Sequence, residues 1–218
     1  MIHVYAFAEG LDALPAVTGL DGAELEQLSL GRVATVFSRR TRPTSAETVR
    51  RDALTHGAVV EALAQAATAV LPVRFGEVAD DEGALAESLR RRMPAIVAAL
   101  DRVRDCVEVG LRVWHEPPPR EHAESGAAYM RRRLEGERRR RDTVGRLHER
   151  LTSIARDAHA TVHDLDAREQ LTAAYLVPAA RVGEVRSLVN DFAARHHDLP
   201  VVCTGPWPAY SFAQEDAA

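Results

Sequence analysis

The sequence predicts an α+β protein built as two domains, and three observations carry this. From residue 107 onward, apolar runs and 3.6-residue periodicities alternate as strand, helix, strand, strand, helix, strand, the βαββαβ order of a ferredoxin-like fold. Before that point the order is strand, strand, strand, helix, strand, helix. The chain has 218 residues, 46% hydrophobic and 28% charged, which is enough for one large core or two small ones. The expected boundary lies near Asp105, giving an N-terminal domain at 1–104 and a C-terminal one at 105–218.

In the N-terminal part, residues 2–8 are apolar with weak alternation and read as a strand. Residues 10–22 hold Pro15, Gly19 and Gly22 and read as loop. Two strand-like runs, 25–30 and 33–38, flank Gly31-Arg32, which can turn a hairpin. A polar connector with Pro43 follows, and then Thr44 or Ser45 is placed to cap a helix with Glu47 early in it. Val49, Ala53, Val60, Ala64 and Ala67 mark one face, with Val59, Leu63 and Val70 beside it. That pattern spans about six turns. His56 falls on the apolar side, where a histidine usually bonds a backbone group rather than a ligand. Residues 71–75 read as a strand that Pro72 confines to an edge or to a strand start. Val73 and Phe75 share a face and Arg74 takes the other. A strand arginine needs a carboxylate or several carbonyls, so Arg74 either pins the strand through an ion pair or faces a partner. A second helix is expected over 80–104 on the stripe Leu85, Leu89, Met93, Ile96, Leu100 and Val103, with Pro94 kinking it or starting a new helix.

In the C-terminal part, residues 107–114 alternate strictly, which predicts a strand with one buried face. Three consecutive prolines follow, and 124–159 then reads as one very long helix. Its ends carry apolar residues at heptad-like spacing: Met130 and Leu134, then Val144, Leu147, Leu151, Ile154 and Ala158. Its middle, 135–142, has none. The i,i+4 pairs Arg131–Glu135, Arg133–Glu137, Glu135–Arg139 and Glu137–Arg141, each worth about 0.2–0.5 kcal/mol, can keep this stretch helical despite Gly136. The helix is expected to project from the body at one end. Strands at 161–165 and 171–177 and a helix carrying Val182, Val185, Val189 and Phe192 follow. An apolar run from Leu199 reads as the last strand, which Thr204-Gly205-Pro206-Trp207-Pro208 ends. The two prolines should hold Gly205 and Trp207 extended and present the indole from a stiff loop. Tyr210 and Phe212 resume a strand-like pattern and offer a wall, so Trp207 is expected to be mainly packed on the C-terminal domain, with a partner-facing knob as the alternative.

Composition excludes several classes. The formal net charge is −4, and every one of the 28 basic residues is arginine. No apolar run approaches the length of a membrane span, and no secretory leader or membrane partner is expected. Cys106 and Cys203 sit in apolar, strand-like surroundings and read as reduced core thiols of a cytoplasmic protein. No metal or other cofactor is expected. His196 and His197 are adjacent and face different ways on a helix, and His159 and His163 straddle a break. No Gly-x-Ser-x-Gly, reactive-cysteine setting or phosphate-binding glycine loop is present, and no acid/base pair stands out by spacing among 32 acidic residues. No catalytic residue is therefore assigned. The basic run through Arg138, Arg139, Arg140 and Arg141 reads first as a solvated helix face and second as a protein contact. Nucleic-acid binding through 131–141 is the weaker alternative, because glutamates neutralise much of the charge and no aromatic is interleaved.

The segment TGPWPAYSF at 204–212, with TAAYLV at 172–177 before it, closely resembles the C-terminal signature of the gas vesicle protein F/L family. IHVYAF at 2–7, RDALTH at 51–56 and LPVRFG at 71–76 match in the family's order, so the resemblance covers almost the whole chain. One departure is Ala6-Phe7-Ala8, where a glycine after the tyrosine is more usual in the family; it affects one turn. The resemblance implies two α+β domains, the second a modified ferredoxin-like one. It implies a non-enzymatic gas vesicle accessory protein that binds the major shell protein, nucleates or stabilises the growing shell and remains as a minor component. Other gas vesicle accessory proteins are further implied partners. Arg74, Arg138, Arg139, Arg140, Arg141, Trp207 and Tyr210 are the candidate contact residues. The alternative reading is a ferredoxin-like ligand-binding or regulatory module.

Overall fold

The structure is a computed structural model that describes residues 1–115, 126–162 and 169–213. It forms two compact units: Met1–Val107 together with the segment that begins at Trp207, and Glu108–Pro206. The sequence pattern assigns everything after 104 to the second domain, whereas residues 207–213 group with the first unit.

The first unit is built around strand β1 (Ile2–Glu9), of which seven residues in eight are buried. β2 (Glu26–Leu30) and β3 (Val33–Arg39) form the expected hairpin, closing at Leu30↔Val33. β3 pairs antiparallel with one side of β1; β4 (Ala69–Pro72) and β5 (Val78–Ala79) share the other. The order is β2-β3-β1-β4, so Pro72 stands on an edge strand, where its missing N–H is tolerated. The β1–β3 register slips between Val4 and Ala6. This bulge explains the weak alternation in the sequence: side-chain direction changes partway along the strand. His3 points to helix α1 (Val49–Ala66), where it meets His56. Phe7, four residues on, instead lies under Arg92 of helix α2 (Glu82–Val103).

Helix α1 starts later than the capping pattern suggests, because residues 45–48 form a turn in which Thr48 N–H donates to the Ser45 carbonyl at 3.1 Å. Its core face is Asp52, His56, Val59, Val60 and Leu63. Val49, expected on that face, is exposed. Helix α2 is capped by Asp81, which accepts from the Ala84 N–H at 2.8 Å. It runs through Pro94 as one helix. Leu85 and Leu89 before the proline, and Ile96, Leu100 and Val103 after it, are all buried. Both halves are therefore held by packing, against an interior-proline cost of about 3 kcal/mol.

The second unit has β6 (Cys106–Trp114), α3 (Gly126–Ile154), β7 (Asp157–Val162), β8 (Glu169–Pro178), α4 (Val182–Arg195) and β9 (Val201–Trp207), the element order expected from the sequence. The sheet order is β7-β8-β6-β9. Val109, Leu111 and Val113 of β6 and Leu171, Ala173, Tyr175 and Val177 of β8 face a core closed by Val144, Leu147, Leu151 and Ile154 of α3 and Val185, Val189 and Phe192 of α4. Strand β7 begins at Asp157, earlier than the pattern suggests, and takes residues assigned to the end of the long helix. Strand β9 extends through Gly205 and Pro206 to Trp207 instead of stopping at Thr204, which its edge position permits. Gly205 is not extended as expected but has φ +100°, a conformation that glycine takes without strain. Tyr210–Phe212 is a 3₁₀ turn rather than strand. The proline run at 117–119, His163, the connector at 166–168 and the tail at 214–218 lie outside the described residues.

Candidate functional site

The densest polar chemistry lies inside the first unit. Strand β1 supplies His3 and Tyr5, and α1 supplies Asp52 and His56 one helical turn apart on the face continued by Val59, Val60 and Leu63. His56 Nε2 lies 3.0 Å from the Val73 carbonyl. A carbonyl only accepts, so Nε2 carries the proton and Nδ1 of the neutral ring is an acceptor. His3 Nε2 lies 2.9 Å from that Nδ1 and is therefore the donor. Burial pushes His3 down to about 4, helped by the neighbouring His56 and Arg40 and opposed by Asp52. Burial also lowers His56, against the Val73 carbonyl. Both rings are neutral near pH 7 and pack among Tyr5 and Phe75, with His3 edge-on to Tyr5 and to His56, and His56 edge-on to Phe75.

Beside the rings lies a buried ion pair. Arg40 Nη2 donates to Asp52 Oδ2 at 3.0 Å, with both side chains at most 3% exposed. Arg40 also donates to Asp21 at 3.2 Å and to the Thr44 hydroxyl at 2.6 Å. Burial alone would raise the Asp52 carboxyl; hydrogen bonds from Thr48, Arg51 and Arg40 outweigh it and hold it below the usual carboxylate range. Tyr5 closes the group. Its oxygen accepts from the Leu20 N–H at 2.7 Å and lies 2.8 Å from the Ser38 hydroxyl. Gly19 makes that approach possible, since a Cβ there would lie 2.4 Å from the Tyr5 oxygen. Every member of this network is engaged by another, and His3, Tyr5, Ser38, Arg40, Asp52 and His56 are all buried. It braces β1, β3, α1 and the chain after β4 against one another.

The residues expected from sequence lie elsewhere. Arg74 is not in a strand: β4 ends at Pro72, and Arg74 opens a turn in which Glu77 N–H donates to its carbonyl at 3.2 Å. Its side chain is exposed and makes no ion pair among the described residues, so the strand-pinning pair is not formed. Of the four helical pairs expected on α3, Arg133–Glu137 at 2.9 Å is present. Glu135 forms none among the described residues, nor do Arg131, Arg139 and Arg141. Arg138, Arg139 and Arg141 are exposed and Arg140 is half-buried. Trp207 is 46% exposed, against the expectation that it is mainly packed. Its wall is absent because the chain turns after Pro208 and sends Tyr210 and Phe212 inward. Tyr210 packs on the cluster of Tyr5, Leu20, Val36, Val59 and Leu63. Burial, with Glu61 nearby, raises its hydroxyl to about 12. Phe212 is fully buried, and its carbonyl accepts from Arg102 Nη2 at 2.6 Å. The structure thus brings Tyr210 to the first core and leaves Trp207 at the surface.

His3, Arg40 and Asp52 are absent from the sequence-derived candidates. One signal points to them: Asp52 and His56 are in phase with Val59 and Leu63, so two polar groups occupy the core face of a helix and need buried partners. Among the described residues, no three or more His, Cys, Asp or Glu are grouped to hold a metal ion, and no helix is long and apolar enough to cross a membrane.

These features define a two-unit α+β protein whose titratable core groups are sealed and whose surface presents arginine, indole and aliphatic side chains. The chain belongs to the gas vesicle GvpL/GvpF family. The profile described as "Gas vesicle synthesis protein GvpL/GvpF" matches residues 1–214. Gas vesicle protein L of Streptomyces sp. (strain CB03234) is 37% identical over 184 residues, spanning 72% of this chain and 67% of the relative. Gas vesicle protein L2 of Halobacterium salinarum is 26% identical over 236 residues, spanning 91% and 84%. The crystal structure of the gas vesicle protein GvpF from Anabaena sp. PCC7120 superposes with a TM-score of 0.77 at 16% identity, covering 98% of this chain and 96% of the other. That of GvpF from Microcystis aeruginosa gives 0.77 at 17%, covering 98% and 99%. Family membership supports an accessory role in gas vesicles.

Proposed function

We propose that this chain is a non-catalytic assembly factor that binds the major shell protein of gas vesicles and supports nucleation or stabilisation of the shell, with a place as a minor component of the vesicle inside the cytoplasm. The observation that carries this is a family match running from residue 1 to residue 214, so that both units are matched. The sealed state of the polar network supports a binding role over a catalytic one: the only buried histidines among the described residues bond each other and a backbone carbonyl. Exposed Arg74 and half-exposed Trp207 are the proposed contact residues, with Tyr210 setting the segment that carries the indole. Co-expression of the full chain with the shell protein tests this. Co-purification is expected to fall with Arg74→Ala and Trp207→Ala; failure of the parent chain to co-purify would reject shell binding.

A further inference from the structure

The N-terminal half of α3 carries a second, independent surface. In the C-terminal half, Val144, Leu147, Leu151 and Ile154 form the stripe that enters the core. Stepping back along that stripe by helical spacings leads to Glu137, Leu134 and Met130. Glu137 is buried against Arg133, but Tyr129, Met130 and Leu134 are 48%, 50% and 50% exposed. An apolar seam thus runs out of the core along a helix with nothing laid over it among the described residues. Charge says what would cover it. Between Arg131 and Asp142 there are seven arginines and three acidic residues. Arg131, Arg132, Arg138, Arg139 and Arg141 form no ion pair among the described residues, although a carboxylate lies within helical reach of several of them.

We propose that this half of α3 docks an acidic amphipathic helix of a partner protein, whose apolar side chains lie on Tyr129, Met130 and Leu134 and whose carboxylates face the arginines. Helix-on-helix docking uses apolar anchors at i and i+4, the spacing of Met130 and Leu134. A second copy of this chain is disfavoured, since it would set arginine against arginine. A phosphate backbone would use the arginines but leave the seam without a role. The proposal does not depend on which gas vesicle protein the chain binds.

The test uses the full chain and three labelled probes read by fluorescence anisotropy: a helical Leu/Glu heptad peptide, a Ser/Glu peptide of equal charge and a duplex DNA oligonucleotide. The Leu/Glu peptide is expected to bind, and the other two about tenfold or more weaker. Met130→Glu/Leu134→Glu and Arg138→Gln/Arg139→Gln/Arg141→Gln should each weaken it about tenfold, the latter with a shallower salt dependence. Both sets of positions are exposed, and an unchanged urea midpoint confirms the fold. The Leu-to-Ser change on the probe tests the seam even if a variant fails to fold. Absence of Leu/Glu binding, equal binding of all three probes, or self-association of the parent chain abolished by Leu134→Glu would each overturn the proposal. No shell protein is present, so failure here leaves shell binding untouched, and the converse holds.

Discussion

The Nε2–H of His3 donates to Nδ1 of His56 across 2.9 Å, and the same His56 ring donates from Nε2 to the Val73 carbonyl at 3.0 Å. This relay joins three segments far apart in the chain, IHVYAF, RDALTH and LPVRFG. These three of the segments that mark the family therefore meet inside the first unit and explain its architecture before they explain any binding.

The relay makes stability depend on pH. An unfolded histidine titrates near 6.5, whereas His3 in the fold is lowered to about 4. Between these values the unfolded chain holds a proton that the folded chain refuses, so stability falls as pH drops from about 6.5 towards about 4. Each such proton contributes a slope of about 1.4 kcal/mol per pH unit. His56, also lowered, adds in the same direction. Urea unfolding of the parent and His3→Asn at several pH values across this range measures it. The variant, less stable at neutral pH, should lose less on acidification. Equal slopes would show that the folded chain accepts the proton on His3 without penalty.

The Arg40–Asp52 pair should be more costly to halve than to remove. Asp52→Ala leaves the buried Arg40 guanidinium with Asp21 as its remaining counter-charge, so the loss should lie near the low end of the about 3–5 kcal/mol that breaking a buried pair costs. Arg40→Met/Asp52→Leu removes both charges and should recover much of that loss, less the bonds Arg40 makes to Asp21 and Thr44. Chemical denaturation of the two variants decides. A double variant as unstable as the single one would show that the pair is a net stabilising contact.

Thr35 offers a test of opposite sign. It is buried on β3, and its hydroxyl has no hydrogen-bond partner among the described residues. Burying an unpaired hydroxyl costs about 1–3 kcal/mol. Thr35→Val keeps the shape and removes the polar atom, so the thermal midpoint should rise by a few degrees. A fall would reveal a hydrogen bond made in solution, for instance to an internal water.

What was legible in the sequence follows from the range of the forces involved. Local patterns placed the β2–β3 hairpin, the amphipathic faces of α2 and α4, and the strand–helix–strand–strand–helix–strand order of the second half. Hydrophobic periodicity and turn chemistry act over a few residues and are written there. The errors lie where a distant partner decides. Val49 is left outside because Asp52 and His56, satisfied by Arg40 and His3, occupy the core face instead. The strand at Arg74 ends early because the chain turns there to reach β5. The bulge in β1 reverses side-chain direction with no residue that announces it. The surroundings of Trp207 were the least legible, because its exposure depends on where the following turn sends Tyr210 and Phe212.

That turn sets the last prediction. Trp207 and Phe212 are five residues apart and differ in surroundings: the indole is 46% exposed, and Phe212 is fully buried with its carbonyl bonded to Arg102. Truncating a buried phenylalanine costs about 3–5 kcal/mol, a large share of the about 5–15 kcal/mol that holds a domain folded. Truncating a half-exposed tryptophan removes contacts on one side only and should cost well under half of that. Phe212→Ala should therefore lower the thermal midpoint strongly, and Trp207→Ala only by a few degrees. Capture of the shell protein should follow the opposite order once folding is matched by working well below both midpoints: Trp207→Ala weakens it, while Phe212→Ala, still folded at that temperature, does so less. If Trp207→Ala melts as early as Phe212→Ala, the indole is a core anchor in solution. If it melts like the parent and captures the shell protein equally well, the indole is not the contact, and the exposed arginines remain as the surface to test.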